Sequence, residues 1–153
     1  MSSIDARLAE LGITLPKVVP PVAVYIPAIV SGNLVFTSGQ LPMVDGVLPA
    51  TGKLGAGVSA ETGADLARQC ALNALAAVES VIGSLDRVTR IVKVVGFVAS
   101  DPSFTGQPGV INGASTVLGE IFGDAGVHAR SAVGVSVLPL DSPVELELVV
   151  EFA

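Results

Sequence analysis

Apolar residues recur at distinct spacings along the chain, and each spacing names an element. Between Ser59 and Ile82 the residues Leu66, Cys70, Ala74, Val78 and Ile82 return every fourth position, with Ala67, Ala71 and Leu75 beside them. That stripe has the period of an amphipathic helix. Ser59 suits its N-cap, Glu61 and Asp65 favour its positive end, and Gly83 suits its C-cap. A second helix is predicted over Val110–Phe122, with Val110, Val117, Leu118 and Ile121 inward, after a loop carrying Gly106, Pro108 and Gly109. A short N-terminal helix runs from a cap at Ser2 or Ser3 to Glu10, places Ile4, Leu8 and Leu11 on one side, and ends at Gly12. Lys17 to Val30 reads as extended and punctuated by proline. Ala28–Val30 and Leu34–Thr37 read as a hairpin around Ser31-Gly32-Asn33. Thr89 to Ala99 reads as a strand apolar on both faces, apart from Lys93 and a gap at Gly96. Such a strand belongs in the middle of a sheet, or between a sheet and a partner subunit.

Two alternating runs close the chain. In the first, His128, Arg130, Ala132, Gly134 and Ser136 share one face; in the second, Val144, Leu146, Leu148 and Val150 share one, opposite Glu145, Glu147 and Glu151. Pro139 and Asp141-Ser142-Pro143 between them carry turn chemistry. The pattern predicts a pair of neighbouring strands with Val137 beside Val144, Arg130 opposite Glu151 and Gly134 opposite Glu147. The element order then predicts an α+β domain, a mostly antiparallel sheet with two helices on one face.

At 153 residues the chain suits a single domain, 1–153, with residues 1–19 as a helical N-terminal extension. Half of it is apolar and 14% is charged, which excludes disorder and predicts that part of the surface is covered by partner subunits. No apolar run approaches the roughly 20 residues of a membrane helix, and no signal peptide is expected. The single cysteine, Cys70, fits a reducing, cytoplasmic setting and reads as a buried structural thiol. Net charge is −6, and the eight Lys and Arg are scattered without a run, which argues against nucleic acid as a partner. Gly52-Lys53-Leu54 lacks the Ser or Thr of a phosphate loop.

The candidate chemistry centres on Arg130. Its next same-face neighbours are alanine and glycine, so a planar guanidinium would stand beside open space, an arrangement suited to holding a small carboxylate by two parallel hydrogen bonds. A glutamate on the same face could move a proton. A solvated strand pair with weak ion pairs has the same pattern. Tyr25, the single tyrosine, either packs its ring or lines a site. Gly39, after Ser38, either ends a strand or lets the backbone approach a ligand. Asn112 is either an early-turn residue or a site residue. His128, the single histidine, cannot build a metal site alone; it is either a strand residue at a subunit contact or a proton carrier near Arg130.

Four ordered pieces resemble the RidA family, also called YjgF or L-PSP endoribonuclease-like. They are Val35-Phe-Thr-Ser38-Gly39-Gln40-Leu41-Pro42, the helix around Gln69–Val81 with the strand Ile91–Val98, Val110-Ile-Asn112-Gly-Ala, and Ala129-Arg130-Ser131 with Leu138-Pro139 and Val144-Glu-Leu-Glu147-Leu. The resemblance runs from about Pro20 to the C-terminus. It implies a homotrimer with sheets facing inward and ligand clefts between subunits. It also implies hydrolysis of reactive enamines and imines such as 2-aminoacrylate to a 2-keto acid and ammonia, without metal or cofactor. Arg130 would clamp the carboxylate and Glu147 would handle the attacking water. Tyr25, Ser38, Gly39, Asn112 and the backbone around Ala132 would bind substrate. Ala132 departs from the family's frequent cysteine or serine, and Tyr25 lies outside the usual motif. A carboxylate-binding trimer without turnover is the alternative reading; a ribonuclease or translation inhibitor is disfavoured by charge.

Overall fold

A computed structural model describes residues 3–18 and 24–153. Residue Ser2 and residues 19–23 of the expected extended stretch lie outside the described residues. Three helices, α1 (Ser3–Glu10), α2 (Ala60–Ile82) and α3 (Gln107–Phe122), accompany seven strands. These are β1 (Ala28–Ser31), β2 (Leu34–Thr37), β3 (Lys53–Leu54), β4 (Gly57–Val58), β5 (Val88–Ala99), β6 (Ala129–Val135) and β7 (Val144–Phe152). Five strands form one sheet in the order β1-β2-β7-β5-β6, and β3 and β4 form a small separate pair. Every pairing in the large sheet is antiparallel except β5 with β6. The α+β expectation therefore holds.

The expected C-terminal strand pair does not form. β6 and β7 both pair with β5, one on each side, so Arg130 lies beside Val94 and Glu147 beside Val95 rather than facing each other across a turn. The reason lies in β5. Its apolar residues Ile91, Val94, Val98 and Ala99 are fully buried, and its backbone is saturated only with a neighbour on both edges. The connection from β6 to β7 therefore passes over the end of β5, where Ser100 N–H donates to Val135 O and Ala99 N–H donates to Pro143 O. Leu140 and Asp141 take positive φ there, and buried Ser142 closes the turn on Val144 O at 2.8 Å.

Direct cross-strand partners share a face. One face carries Val35, Val150, Ile91, Leu148, Val94, Leu146, Val98 and Val144, all fully buried or nearly so. α2 and α3 pack on that face and supply Leu66, Cys70, Ala74, Val78, Val110, Ile111, Val117 and Leu118 to one core. The gap at Gly96 is filled by Ile111; a Cβ there would collide with that side chain. α3 begins at Gln107, three residues before the sequence-based boundary, because Pro108 is tolerated in a first helical turn, where backbone N–H groups have no helical partner. α1 lies against the helical layer, with Arg7 Nε donating to Glu120 O at 2.8 Å and Ile4 N–H donating to Asp86 Oδ1 at 2.8 Å. Leu8 and Ile13 enter the core.

The Ser59 hydroxyl accepts from Thr62 N–H at 3.1 Å and caps α2. Removing a serine cap costs about 1 kcal/mol. Ser59→Ala is therefore expected to lower the melting temperature by about 2–4 °C, measurable by circular dichroism, with no change in ligand affinity. An unchanged melting temperature would show that the cap contributes nothing.

The other sheet face carries no helix among the described residues. Ile29, Phe36, Val149, Lys93 and Ala129 form a continuous row across all five strands of this face. Val95, Glu147 and Ser131 form a second row, and Phe97, Glu145 and Val133 a third. Ile29 is 56% exposed, Phe36 42% and Val133 43%, so this face presents large apolar side chains to the outside of the protomer. No helix among the described residues is long and apolar enough to cross a membrane.

Candidate functional site

The site residues expected from sequence fall into two groups on opposite faces of the sheet. The first group surrounds Arg130, the second residue of β6. Its strand partner Val94 is buried on the helical face, and Arg130 points the same way. The guanidinium Nη1 donates to Asn112 Oδ1 at 2.7 Å and to Ser115 Oγ at 3.2 Å. Asn112 and Ser115 are three residues apart on α3, a spacing that puts them side by side on one helix face. Asn112 is thus not a cap: it lies in the second turn and holds the arginine. Among the described residues no carboxylate pairs with Arg130; the ion pairs there are Arg7–Glu10 and Lys53–Asp141. His128, two residues before Arg130, sits at 2.9 Å from Ser115 Oγ through Nε2 and at 2.6 Å from Gly126 O through Nδ1. Ala132 follows on the same face and packs partly against the core. At Gly134, further along the same face, Gln107 Nε2 stands 2.8 Å from where a Cβ would lie, beside an open hollow. Arg130 therefore stands at a rim between β6, an edge strand, and α3.

The second group surrounds Gly39. Ser38 Oγ donates to Ile26 O at 2.6 Å and Ser38 N–H to Pro27 O at 2.8 Å, which ties down the segment that carries Tyr25. Tyr25 itself is 61% exposed, so its ring is not packed in the core of this protomer. Gln40 exchanges both backbone hydrogen bonds with Leu146, and this brings Gly39 against Glu145, whose carboxylate a Cβ at position 39 would strike. With no side chain at position 39, the Glu145 carboxylate lies directly against the backbone there, and any larger residue would push it aside. Glu145 is half-buried. Burial first, and then its neighbour Glu147, push its carboxyl above the usual carboxylate range. Burial, with a smaller push from Glu145, also raises the Cys70 thiol, which is fully buried and so keeps its proton.

Within one protomer Arg130 cannot meet either glutamate. Arg130, Val94 and Leu148 lie in one row, so β7 is two strands away, about 10 Å, and Glu145 and Glu147 point to the other face. Hollows open elsewhere among the described residues. One, of about 380 Å³, is lined by Ser100, Phe104, Gln107 and Gly134 among others; another, of about 270 Å³, lies between α2 and α3 and includes Asn112. Neither contains Arg130, Gly39 or Glu145.

Sequence reasoning missed Ser115 and Glu145. Ser115 was legible as the residue one helical step beyond Asn112. The glycine contact that distinguishes Glu145 from Glu147 joins segments far apart in the chain and has no local signature.

Residues 5–153 match the family described as "YjgF/chorismate_mutase-like, putative endoribonuclease". The chain belongs to the YjgF family. The match begins at residue 5, within α1. This YjgF-family protein is 44% identical to protein TCP17 of Trypanosoma cruzi over 149 residues, 97% of this chain and 93% of that one. It is also 44% identical to Atu1372 of Agrobacterium tumefaciens, whose crystal structure superposes with a TM-score of 0.91 over 98% of this chain and 93% of that one. The crystal structure of Escherichia coli TdcF with bound serine shares 25% identity and a TM-score of 0.64, over 90% and 93% of the two chains.

The raised Glu145 carboxyl gives a stability prediction with a definite sign. A folded state that holds this proton to higher pH than the unfolded chain loses stability as pH rises through the window above the ordinary carboxylate value. Glu145→Gln removes that dependence. The variant is expected to be at least as stable as the wild type at pH 7, with the gap closing toward pH 4.5 in urea denaturation. Identical pH slopes for the two proteins would contradict the assignment.

Proposed function

We propose that this YjgF-family protein hydrolyses small 2-enamine and 2-imine carboxylates to 2-keto acids and ammonia, at clefts between protomers of a homotrimer. The observation that carries the reading is Arg130: a guanidinium held by two neutral oxygens, with no carboxylate partner among the described residues, at the rim of the sheet. An arginine so arranged keeps its strongest hydrogen-bonding capacity for a carboxylate or another anion that comes from outside. The serine bound in TdcF, itself a small amino-acid carboxylate, supports the class of ligand.

The two half-sites support the assembly. Arg130 with Asn112 and Ala132 lies on one side of the protomer; Gly39, Ser38, Tyr25 and Glu145 lie on the other. Packing the apolar open faces of three copies around an axis buries Ile29, Phe36 and Val133. The same packing brings the Arg130 rim of one copy to the Gly39–Glu145 half-site of the next, giving three equivalent clefts. The free, buried Cys70 suits a cytoplasmic setting, as such thiols persist where disulfides are not formed.

Chemistry follows from those groups. Arg130 binds the substrate carboxylate and thereby places C2 near Glu145. The enamine takes a proton at C3 to become the iminium ion. Water then adds to C2 as Glu145 takes one of its protons, and Glu145 returns that proton to the nitrogen of the resulting carbinolamine. The C2–N bond breaks as the C2 hydroxyl becomes the carbonyl and releases its proton to solvent, so ammonia leaves, the keto acid remains, and the proton taken up at C3 is regained. A glutamate with a raised pKa suits both halves of this transfer. The role expected of Glu147 passes in this reading to Glu145, with Glu147 as the neighbouring charge that tunes it. Because imine hydrolysis is intrinsically easy, positioning supplies most of the rate.

The test couples a dehydratase that generates 2-aminoacrylate to the appearance of pyruvate. The reading predicts faster pyruvate release in proportion to added protein. Saturable 2-oxobutanoate binding with no rate effect would favour a carboxylate-binding trimer. Cleavage of RNA by nuclease-free preparations, against the expectation set by the net charge of −6, would favour the endoribonuclease reading.

A further inference from the structure

Arg130 is the end of a chain of hydrogen bonds whose protons can be assigned one by one. Gly126 O is only an acceptor, and it lies 2.6 Å from His128 Nδ1, so Nδ1 carries a proton. In the neutral ring Nε2 is then an acceptor, 2.9 Å from Ser115 Oγ. The serine hydroxyl has one proton to give, and Nε2 takes it. Its lone pairs are left facing Arg130 Nη1 at 3.2 Å. Asn112 Oδ1 accepts from the same Nη1 at 2.7 Å. The guanidinium Nε and Nη2 groups make no hydrogen bond among the described residues.

We propose that Ser115 and His128 are positioning residues for Arg130: the imidazole orients the serine hydroxyl as an acceptor, and that hydroxyl with Asn112 pins one end of the guanidinium so that its Nε–Nη2 edge is presented, already fixed, to a bidentate carboxylate. The inference rests on the carboxylate reading of Arg130 and adds two residues to it. A free arginine side chain loses rotamer entropy when it clamps a ligand; one already pinned loses less and binds tighter. This account also gives His128 a role through Ser115 rather than as a proton carrier. It explains why a half-buried serine in the middle of α3 faces a strand. The unit is complete within one protomer, so it is in place before any subunit cleft closes.

The test combines 2-oxobutanoate binding by calorimetry with NMR of the intact protein. Ser115→Ala and His128→Phe are each expected to weaken 2-oxobutanoate binding about tenfold, the size of one hydrogen bond to a charged group. The double variant is expected to be no weaker than either, because both break one relay. Ser115→Thr, which keeps the hydroxyl, is expected to restore binding to near wild type. Rotation of the Arg130 guanidinium about its Nε–Cζ bond should be slow in the wild type and faster in both variants, and the neutral His128 ring should be the Nδ1–H tautomer. Unchanged guanidinium rotation and affinity in both variants, with binding lost in Arg130→Ala, would overturn the relay and leave the carboxylate reading standing. Absence of 2-oxobutanoate binding by the wild type would overturn the carboxylate reading, while the rotation measurement would still decide whether the relay holds the arginine. An Nε2–H neutral tautomer would overturn the proton assignment outright.

Discussion

Arg130→Ala is expected to lower kcat/KM for enamine hydrolysis by about two orders of magnitude, and to weaken 2-oxobutanoate binding by a similar factor. The estimate follows from the contact removed. Truncating one partner of a desolvated, hydrogen-bonded charge pair costs about 2–5 kcal/mol, and each 1.4 kcal/mol is about tenfold. The substitution should do little to the fold, because the Arg130 contacts are two hydrogen bonds to half-exposed partners at a sheet edge rather than core packing. Arg130→Lys should recover only a small part, since an ammonium keeps the charge but not the planar fork. Steady-state assays with matched melting temperatures check this. A variant that folds and turns over substrate at the wild-type rate would remove Arg130 from the site.

Gly113→Ala is expected to produce the largest loss of stability among single-atom-scale changes. Gly113 lies where α3 crosses α2, and a Cβ there would collide with the carbonyl of Ala64, a backbone group that cannot swing aside. Separating two packed helices disturbs Leu66, Val110 and Val117 together. Overpacking of this kind costs about 1–3 kcal/mol, or about 2–12 °C in melting temperature for a chain of this size. Gly119→Ala provides the control on the same helix. A Cβ at position 119 meets nothing within 4 Å, so the alanine should stabilise by up to about 1 kcal/mol through helix propensity alone. If both variants moved the melting temperature in the same direction, close helix approach would not be what fixes glycine at position 113.

Local pattern made most of the elements legible. The fourfold stripe from Leu66 to Ile82 gave α2 nearly to the residue, with Ser59 and Gly83 at its ends, because a helix is specified by contacts within itself. β5 was legible as a central strand from its two apolar faces. Its neighbours were not. The short stretch between Val135 and Val144 carries proline and aspartate, and such spacing ordinarily means a hairpin; only the requirement that β5 be paired on both edges separates the two strands. That single topological fact reverses the site geometry. It turns Arg130 toward α3 and leaves the glutamates facing the other way, so residues that alternation places on one face lie on opposite faces of the sheet.

The same fact explains what the sequence could not reveal about the chemistry. Glu147 and Glu145 occupy equivalent positions in an alternating run, and nothing local distinguishes them. The distinction comes from Gly39, which the Gln40–Leu146 bridge brings against Glu145. Ser115 and His128 are likewise connected only after α3 folds back beside β6.

The most direct test of the account mixes two inactive proteins. Arg130→Ala lacks the carboxylate clamp and Glu145→Gln lacks the proton carrier; each trimer alone should be nearly inactive. Unfolded together and refolded as mixed trimers, about a quarter of the clefts receive an intact arginine from one copy and an intact glutamate from its neighbour. Activity should return to about a quarter of the wild-type level. Mixed trimers, verified by mass spectrometry, that remain as inactive as their parents would contradict a site shared between protomers.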